Sequence, residues 1–194
     1  MRPTLRALAA IAFVGATSVP VTAARAQASK SGGSTASVVV DLMKDVDGTA
    51  KKFIDLVKVM PPDKLTWRPA PGVRSVGEVF LHVASDNYLM PFGYGVAIPS
   101  STGIKGDDFK SLTAFEKQTL TREQIATELE KSFAHLKAAM AKTTDADLAK
   151  PISMFGMKST QQAMWIGTTT HLHEHLGQSI AYARSNGVTP PWSK

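Results

Sequence analysis

Four long segments of the chain carry apolar residues at every third or fourth position. This spacing places the apolar side chains along one face of an α-helix. No segment of useful length alternates apolar and polar residues, so a β-sheet is not expected. The sequence therefore predicts an all-α fold. The apolar stripe of the first segment contains Val39, Leu42, Val46, Ala50, Phe53, Val57 and Met60.

Turn and capping residues predict where these helices begin and end. Pro61-Pro62 ends the first helix, and Asn186-Gly187 ends the last helix after Ser185. The second, third and fourth helices each begin with a capping box, in which Ser or Thr is followed three residues later by Glu or Gln. The predicted pairs are Ser75 with Glu78, Thr121 with Gln124, and Ser159 with Gln162.

Two connections join the second, third and fourth helices. The longer one covers roughly residues 93–112, and a short helix is expected near residues 112–118. A connection of this length is usually functional or crosses between distant elements. The shorter one covers residues 151–156. Four helices of about 20 residues around one core, with a long crossover connection, predict a four-helix bundle.

The N-terminal segment has the features of a secretory signal peptide. Arg2 and Arg6 precede an uncharged apolar run, and Ala24-Arg25-Ala26 fits a cleavage site. The run is shorter than the ~20 residues that span a bilayer, and no cysteine follows it for lipid attachment. We therefore expect a secreted or periplasmic protein without a stable membrane anchor. The predicted boundaries are residues 1–26 for the signal peptide, 27–34 for a flexible linker and 35–194 for the bundle domain.

Charge and composition narrow the classes of function. The chain has a net charge of +6, and removal of residues 1–26 takes away three arginines and no acidic residue, which leaves +3. The remaining basic residues are interspersed with acidic ones, so nucleic-acid binding is not expected. The absence of cysteine excludes a disulfide framework, a thiolate metal site and a cysteine nucleophile. Histidine, aspartate and glutamate remain as metal ligands.

Three histidines have the spacing of a metal site. His171 and His175 lie one helical turn apart, so both imidazoles can bind the same ion. His82 lies in the middle of the second helix among apolar residues. Two ligands from one helix and one from another leave coordination positions open, as in catalytic metal sites. His173 and His135 fall on other faces and are expected at the surface or in packing contacts.

Two acidic residues accompany these histidines. Asp86 follows His82 by one turn, where it can contact the metal, orient a ligand or face water. Glu174 lies on the same side of the fourth helix as His171, and it is either a catalytic base or a solvated acid. Glu174 and Asp86 are therefore the candidate catalytic residues.

Two segments resemble the DinB/YfiT-like metalloenzyme superfamily. They are SVGEVFLHVASDN (residues 75–87) and HLHEHLGQSIAYARSNGVTPPWS (residues 171–193). The resemblance implies a four-helix bundle with a crossover connection and a divalent metal, often zinc or nickel, held by three histidines. By position these are His82, His171 and His175. Characterised relatives include transferases and isomerases that depend on low-molecular-weight thiols such as mycothiol or bacillithiol.

These observations leave three hypotheses. In the first, the protein is a metal-dependent enzyme of transferase or hydrolase type with a small-molecule substrate. Its divalent ion would be zinc or nickel, with iron and manganese also compatible with histidine ligands. In the second, it is a non-catalytic binding or stress protein of the cell envelope. In the third, the histidines of a plain helical bundle are incidental. Homodimerisation through the faces of the bundle is compatible with each.

Overall fold

The computed structural model describes residues 34–154 and 156–193. The predicted signal peptide, residues 1–26, lies outside this part of the chain. So does the predicted linker, residues 27–34, apart from Ser34. None of the helices in the two described ranges is long and apolar enough to cross a membrane.

Four long helices form the body of the domain, and the predicted four-helix bundle is confirmed. The helices α4 (Arg122–Met140) and α6 (Gln161–Ser185) each pack against both α1 (Ser37–Val59) and α2 (Val76–Leu89). Phe53 of α1 is completely buried, and its ring lies 6.3 Å from that of Phe80 on α2 and 6.1 Å from that of Phe133 on α4. The packing makes α2 and α6 neighbours.

Two of the three predicted capping boxes are present. Ser75 accepts a hydrogen bond from the Glu78 amide, and the Glu78 carboxylate accepts one from the Ser75 amide at 2.7 Å. Thr121 and Gln124 make the same reciprocal pair at the start of α4. Each side chain satisfies a backbone N–H group that has no partner within the helix. These caps set the first residues of α2 and α4.

The start of α6 differs from the prediction. Its N-cap is Thr160, whose hydroxyl accepts a hydrogen bond from the Ala163 amide at 3.3 Å. The predicted cap, Ser159, is one residue too early, because the β-strand that pairs Ser159 with Ile152 continues to Thr160, and the helix begins only after that residue.

The long connection between α2 and α4 contains three short elements. Two 3-10 turns, Met90–Tyr94 and Ser100–Thr102, precede helix α3, Phe109–Glu116. The predicted short helix therefore exists but begins three residues earlier, because Asp108 caps it by accepting a hydrogen bond from the Lys110 amide at 2.9 Å. Helix α3 packs against α2. This packing brings the end of the connection to the face of α2 that carries His82.

The shorter connection holds a β-hairpin that the sequence did not predict. After a single helical turn, α5 (Asp145–Leu148), strand β1 (Pro151–Met154) pairs antiparallel with β2 (Met157–Thr160). The expectation that the chain contains no sheet is wrong for these residues. Strands of four residues are too short to show a reliable alternation of apolar and polar positions. Gly156, at the turn, has a φ of 76°, which favours glycine.

Candidate metal centre

The neighbouring helices α2 and α6 bring four potential ligands together. His82 and Asp86 lie one turn apart on α2, and His171 and His175 lie one turn apart on α6. One ligand atom of each residue lies within 4.8 Å of the others. The three histidines predicted from spacing therefore meet, and Asp86 joins them. We refer to these four residues as the histidine–aspartate cluster.

The distances within the cluster fit a shared metal ion. Nε2 of His171 lies 3.2 Å from Nε2 of His175 and 2.8 Å from Oδ2 of Asp86. The same carboxylate oxygen lies 3.2 Å from Nε2 of His82. Tetrahedral ligands bound at about 2.0–2.1 Å stand about 3.3–3.4 Å apart, which is close to the two separations of 3.2 Å, whereas the 2.8 Å contact of Asp86 with His171 is a hydrogen-bond distance. Three imidazole nitrogens and a carboxylate oxygen are also donors that divalent transition metals accept.

The opposite nitrogen of each imidazole has an oxygen acceptor. Nδ1 of His82 lies 2.8 Å from Oε1 of Glu116, and Nδ1 of His175 lies 2.9 Å from Oε1 of Gln178. Nδ1 of His171 lies 3.5 Å from a carboxylate oxygen of Glu174. Neutral imidazole carries one proton, and these acceptors favour it on Nδ1. The Nε2 lone pairs of His82 and His175 then point into the cluster, as metal-binding histidines require, while Nε2 of His171 donates to Asp86 when that ring is protonated.

Glu116 is itself held by an arginine. Nε of Arg74 donates to Oε2 of Glu116 at 2.7 Å, and Nη2 lies 3.3 Å from Oε1. Burial alone would raise the pKa of Glu116, but the hydrogen bonds from His82 and Arg74 outweigh it and lower the pKa below its ordinary value. Glu116 is therefore ionised at neutral pH and acts as a charged acceptor for His82.

The two histidines of α6 differ in their affinity for a proton. The hydrogen bond with Asp86 raises the pKa of His171, although burial opposes this. Burial lowers the pKa of His175, and the nearby His82 and His171 rings lower it further, against the hydrogen bond with Gln178. The cluster thus combines a neutral His175 with a carboxylate that stabilises positive charge at its neighbour. Neutral His175 therefore offers a nitrogen lone pair to a metal ion, while Asp86 stabilises positive charge at His171.

Exposure differs across the cluster and indicates where it opens. The side chains of His82 and Asp86 are 13% exposed, whereas His171 is 34% exposed. Glu174, a candidate catalytic residue, is 75% exposed and lies on the outer side of the His171 ring. The cluster therefore reaches solvent on the α6 side, beside His171.

The remaining histidines lie elsewhere, as their positions on the helices predict. Nε2 of His173 pairs with Asp45 of α1 at 2.7 Å, at the surface. The His135 ring packs 5.4 Å from that of Tyr88. Sequence reasoning missed Glu116 and Arg74, which have no local motif. The length of the crossover connection pointed to the region of Glu116, but no sequence signal pointed to Arg74, which precedes α2.

One comparison gives a family for most of the chain. A family model described as the DinB superfamily matches residues 46–179. This range includes His82, Asp86, His171 and His175. Among curated proteins, none matches the chain.

Three solved structures have a similar fold. A DinB-like protein from Bacillus cereus is 18% identical, with a TM-score of 0.63 over 79% of this chain and 95% of that one. A conserved protein from Enterococcus faecalis is 17% identical, with a TM-score of 0.64 over 76% of this chain and 95% of that one. A DinB-like protein from Bacillus subtilis is 22% identical, with a TM-score of 0.53 over 77% of this chain and 93% of that one. At these identities the likeness concerns the fold alone.

Proposed function

This chain belongs to the DinB superfamily, and from that premise we propose that it is a divalent-metal-dependent enzyme acting on a small molecule. The proposed ligand atoms are the Nε2 nitrogens of His82, His171 and His175. Asp86 and Glu174 are the proposed catalytic residues. A divalent ion held there would act as a Lewis acid on a group of the substrate.

One observation supports the proposal above all others. Three Nε2 atoms and a carboxylate oxygen converge, while each Nδ1 atom lies beside an oxygen acceptor. Incidental histidines on a helical bundle would not need three separate outer partners of this kind. Metal-binding histidines commonly have them, because the outer hydrogen bond fixes both the tautomer and the ring orientation.

The two acidic residues have different proposed roles. The side chain of Asp86 is largely buried inside the cluster, and its Oδ2 contacts Nε2 of His171. In this position it is suited to accept a proton from a bound substrate. Glu174 faces solvent beside Nδ1 of His171. It would fix that ring and exchange protons with water.

The identity of the metal and the location of the protein are further parts of the proposal. Imidazole and carboxylate donors suit zinc or nickel, and they also accept iron or manganese. We place the enzyme in the periplasm or outside the cell, because residues 1–26 have the features of a signal peptide. N-terminal sequencing of the exported protein tests this, with a first residue close to position 27 expected.

Calorimetric titration of the metal-free protein with Zn²⁺ and Ni²⁺ tests the metal site. The wild type should bind one ion per chain, and His171→Ala should lose at least tenfold in affinity. His173→Ala is the matched control, because His173 lies on the same helix but pairs with Asp45 at the surface. Equal affinity in the wild type and in His171→Ala contradicts the proposal.

Substitution with Co²⁺ then separates a catalytic site from a structural one. An enzyme requires an exchangeable coordination position, so the visible spectrum of the Co²⁺ protein should change when azide is added. A spectrum that does not respond indicates a closed site. That result would favour the non-catalytic envelope protein over the enzyme.

A further inference from the structure

A charged cavity of about 620 Å³ opens beside the histidine–aspartate cluster. Its walls come from the segment that precedes α2, from the end of α3 and from α6. The roles proposed above leave most of its charged residues unused. The charged residues of the lining are Arg68, Arg74, Lys117, Glu78 and Glu116.

Two residues of the lining connect the cavity to the histidines. Glu116 contacts Nδ1 of His82 at 2.8 Å, and Gln178 contacts Nδ1 of His175 at 2.9 Å. A single side chain therefore separates the cavity from each of these imidazoles. A ligand held in the cavity lies next to the cluster.

The lining has an excess of positive charge. Nε of Arg74 donates to Glu116 at 2.7 Å, and Nη2 of Arg68 donates to Glu78 at 3.1 Å. Each carboxylate is thus balanced by one arginine. Lys117, which attracts Glu78 electrostatically, supplies a third positive charge. Three basic residues against two acidic ones leave the cavity with a net charge of +1.

The charge of +1 counts both acidic residues of the lining as ionised. Burial would raise the pKa of Glu78, but hydrogen bonds from the Ser75 amide and from Arg68 outweigh it and lower the pKa. The value of +1 is therefore the smallest charge of the lining, since protonation of either carboxyl group would only add positive charge.

Both guanidinium groups are held in place without a ligand. Nη1 of Arg68 donates to the Val73 carbonyl at 2.6 Å, across a turn in which Gly72 has a φ of 81°. Arg74 is fixed by Glu116. Arginine has five N–H donors, so each keeps donors for a further acceptor. Donors fixed in advance lose little conformational entropy when a ligand binds.

We propose that this cavity binds the anionic group of a small-molecule ligand, a carboxylate or a phosphate, through Arg68, Arg74 and Lys117. Both groups present the paired oxygens that a guanidinium binds with two parallel hydrogen bonds. The rest of the ligand then extends toward the histidine–aspartate cluster. That the ligand is the substrate rests on the proposed metal-dependent function, whereas binding of the anion does not.

Anion titrations of the full mature chain at constant ionic strength test the proposal. The probes are succinate, inorganic phosphate and the neutral analogue succinamide. Succinate or phosphate should bind with an affinity that succinamide does not match, and the stronger of the two identifies the anionic group. Lys117→Gln should weaken binding about tenfold, since it removes a charge-assisted hydrogen bond. The matched control is Lys110→Gln, an exposed lysine of α3, the helix that Lys117 follows, and it lies outside the cavity.

A second variant changes the charge in the opposite direction. Glu78→Gln keeps a side chain that supports the capping box but removes a negative charge from the lining, so the anion should bind several-fold more tightly. Equal anion affinity in Lys117→Gln and Lys110→Gln would overturn the proposal, as would succinamide binding as tightly as both succinate and phosphate.

Titrations with and without Zn²⁺ separate this inference from the metal function. Anion binding that requires Lys117 in a protein that takes up no metal supports the anion site and rejects the enzyme. Metal uptake without any anion binding supports the metal function and rejects the anion site.

Discussion

Glu116 and His82 are 34 residues apart in the sequence, yet Oε1 of Glu116 lies 2.8 Å from Nδ1 of His82. Glu116 is the last residue of α3, within the crossover connection. Arg74, from the segment before α2, holds the same carboxylate from the other side. The crossover connection therefore joins α2 to α4 and also fixes the ring of a proposed metal ligand.

Loss of the Glu116 carboxylate should weaken metal binding. Glu116→Ala removes the acceptor of the His82 Nδ1 proton, and we expect the metal affinity to fall about 10- to 100-fold. Glu116→Gln keeps an oxygen acceptor but loses the charge, so its loss should be smaller. Competition with a chromophoric chelator measures both values. Glu123→Gln, an exposed acid that pairs with Arg122, is the control and should bind metal like the wild type.

The orientation of Gln178 should depend on Tyr182. Oε1 of Gln178 lies 2.9 Å from Nδ1 of His175, while its Nε2 donates to the Tyr182 hydroxyl at 3.1 Å. Tyr182→Phe removes that acceptor and leaves the Gln178 amide free to rotate, so metal affinity should fall several-fold. The free energy of unfolding of the metal-free protein should change little, because Phe keeps the ring contact with Trp67. Unchanged affinity would show that Tyr182 does not orient Gln178.

The sequence predicted the parts of the site that depend on local spacing. His171 and His175 share a helix face because residues four apart always do, and Asp86 follows His82 by the same rule. Glu116 and Arg74 reach the site only through the packing of α3 and of the preceding segment against α2. Arg74 and Glu116 are 42 residues apart, and no periodic pattern predicts such a contact.

The start of α6 is likewise a feature that local sequence patterns do not predict. Ser159 and Thr160 are both good N-cap residues, and local preference alone does not choose between them. The pairing of β1 with β2 decides the choice, because it extends through Ser159 to Thr160, so that α6 begins only after Thr160. That pairing joins residues on either side of a turn, and the capping rule does not include it.

Substitution of these two residues tests the observed start of α6. Thr160→Ala removes the hydrogen bond to the Ala163 amide and should lower the free energy of unfolding by about 1 kcal/mol. Ser159→Ala should have a smaller effect, because Ser159 caps no helix. Urea denaturation of both variants measures the difference. A larger loss in Ser159→Ala would mean that α6 begins at the residue predicted from the sequence.

His135 should make the stability of the protein depend on pH. Burial lowers the pKa of His135 from its ordinary value of 6.5, and its Nε2 is buried without a hydrogen-bond partner among the described residues. Below pH 6.5 the unfolded chain therefore binds this proton more readily than the folded protein, so the free energy of unfolding falls as the pH falls. The contribution is fully present above pH 6.5, and its loss continues down to the lowered pKa of the folded state.

One proton changes the free energy of unfolding by at most about 1.4 kcal/mol per pH unit. Urea denaturation in the presence of a chelator at pH 7.5, 6.5 and 5.5 measures the free energy of unfolding. This free energy should fall less steeply with falling pH in His135→Leu than in the wild type. An equal pH dependence in the two proteins would contradict the role of His135.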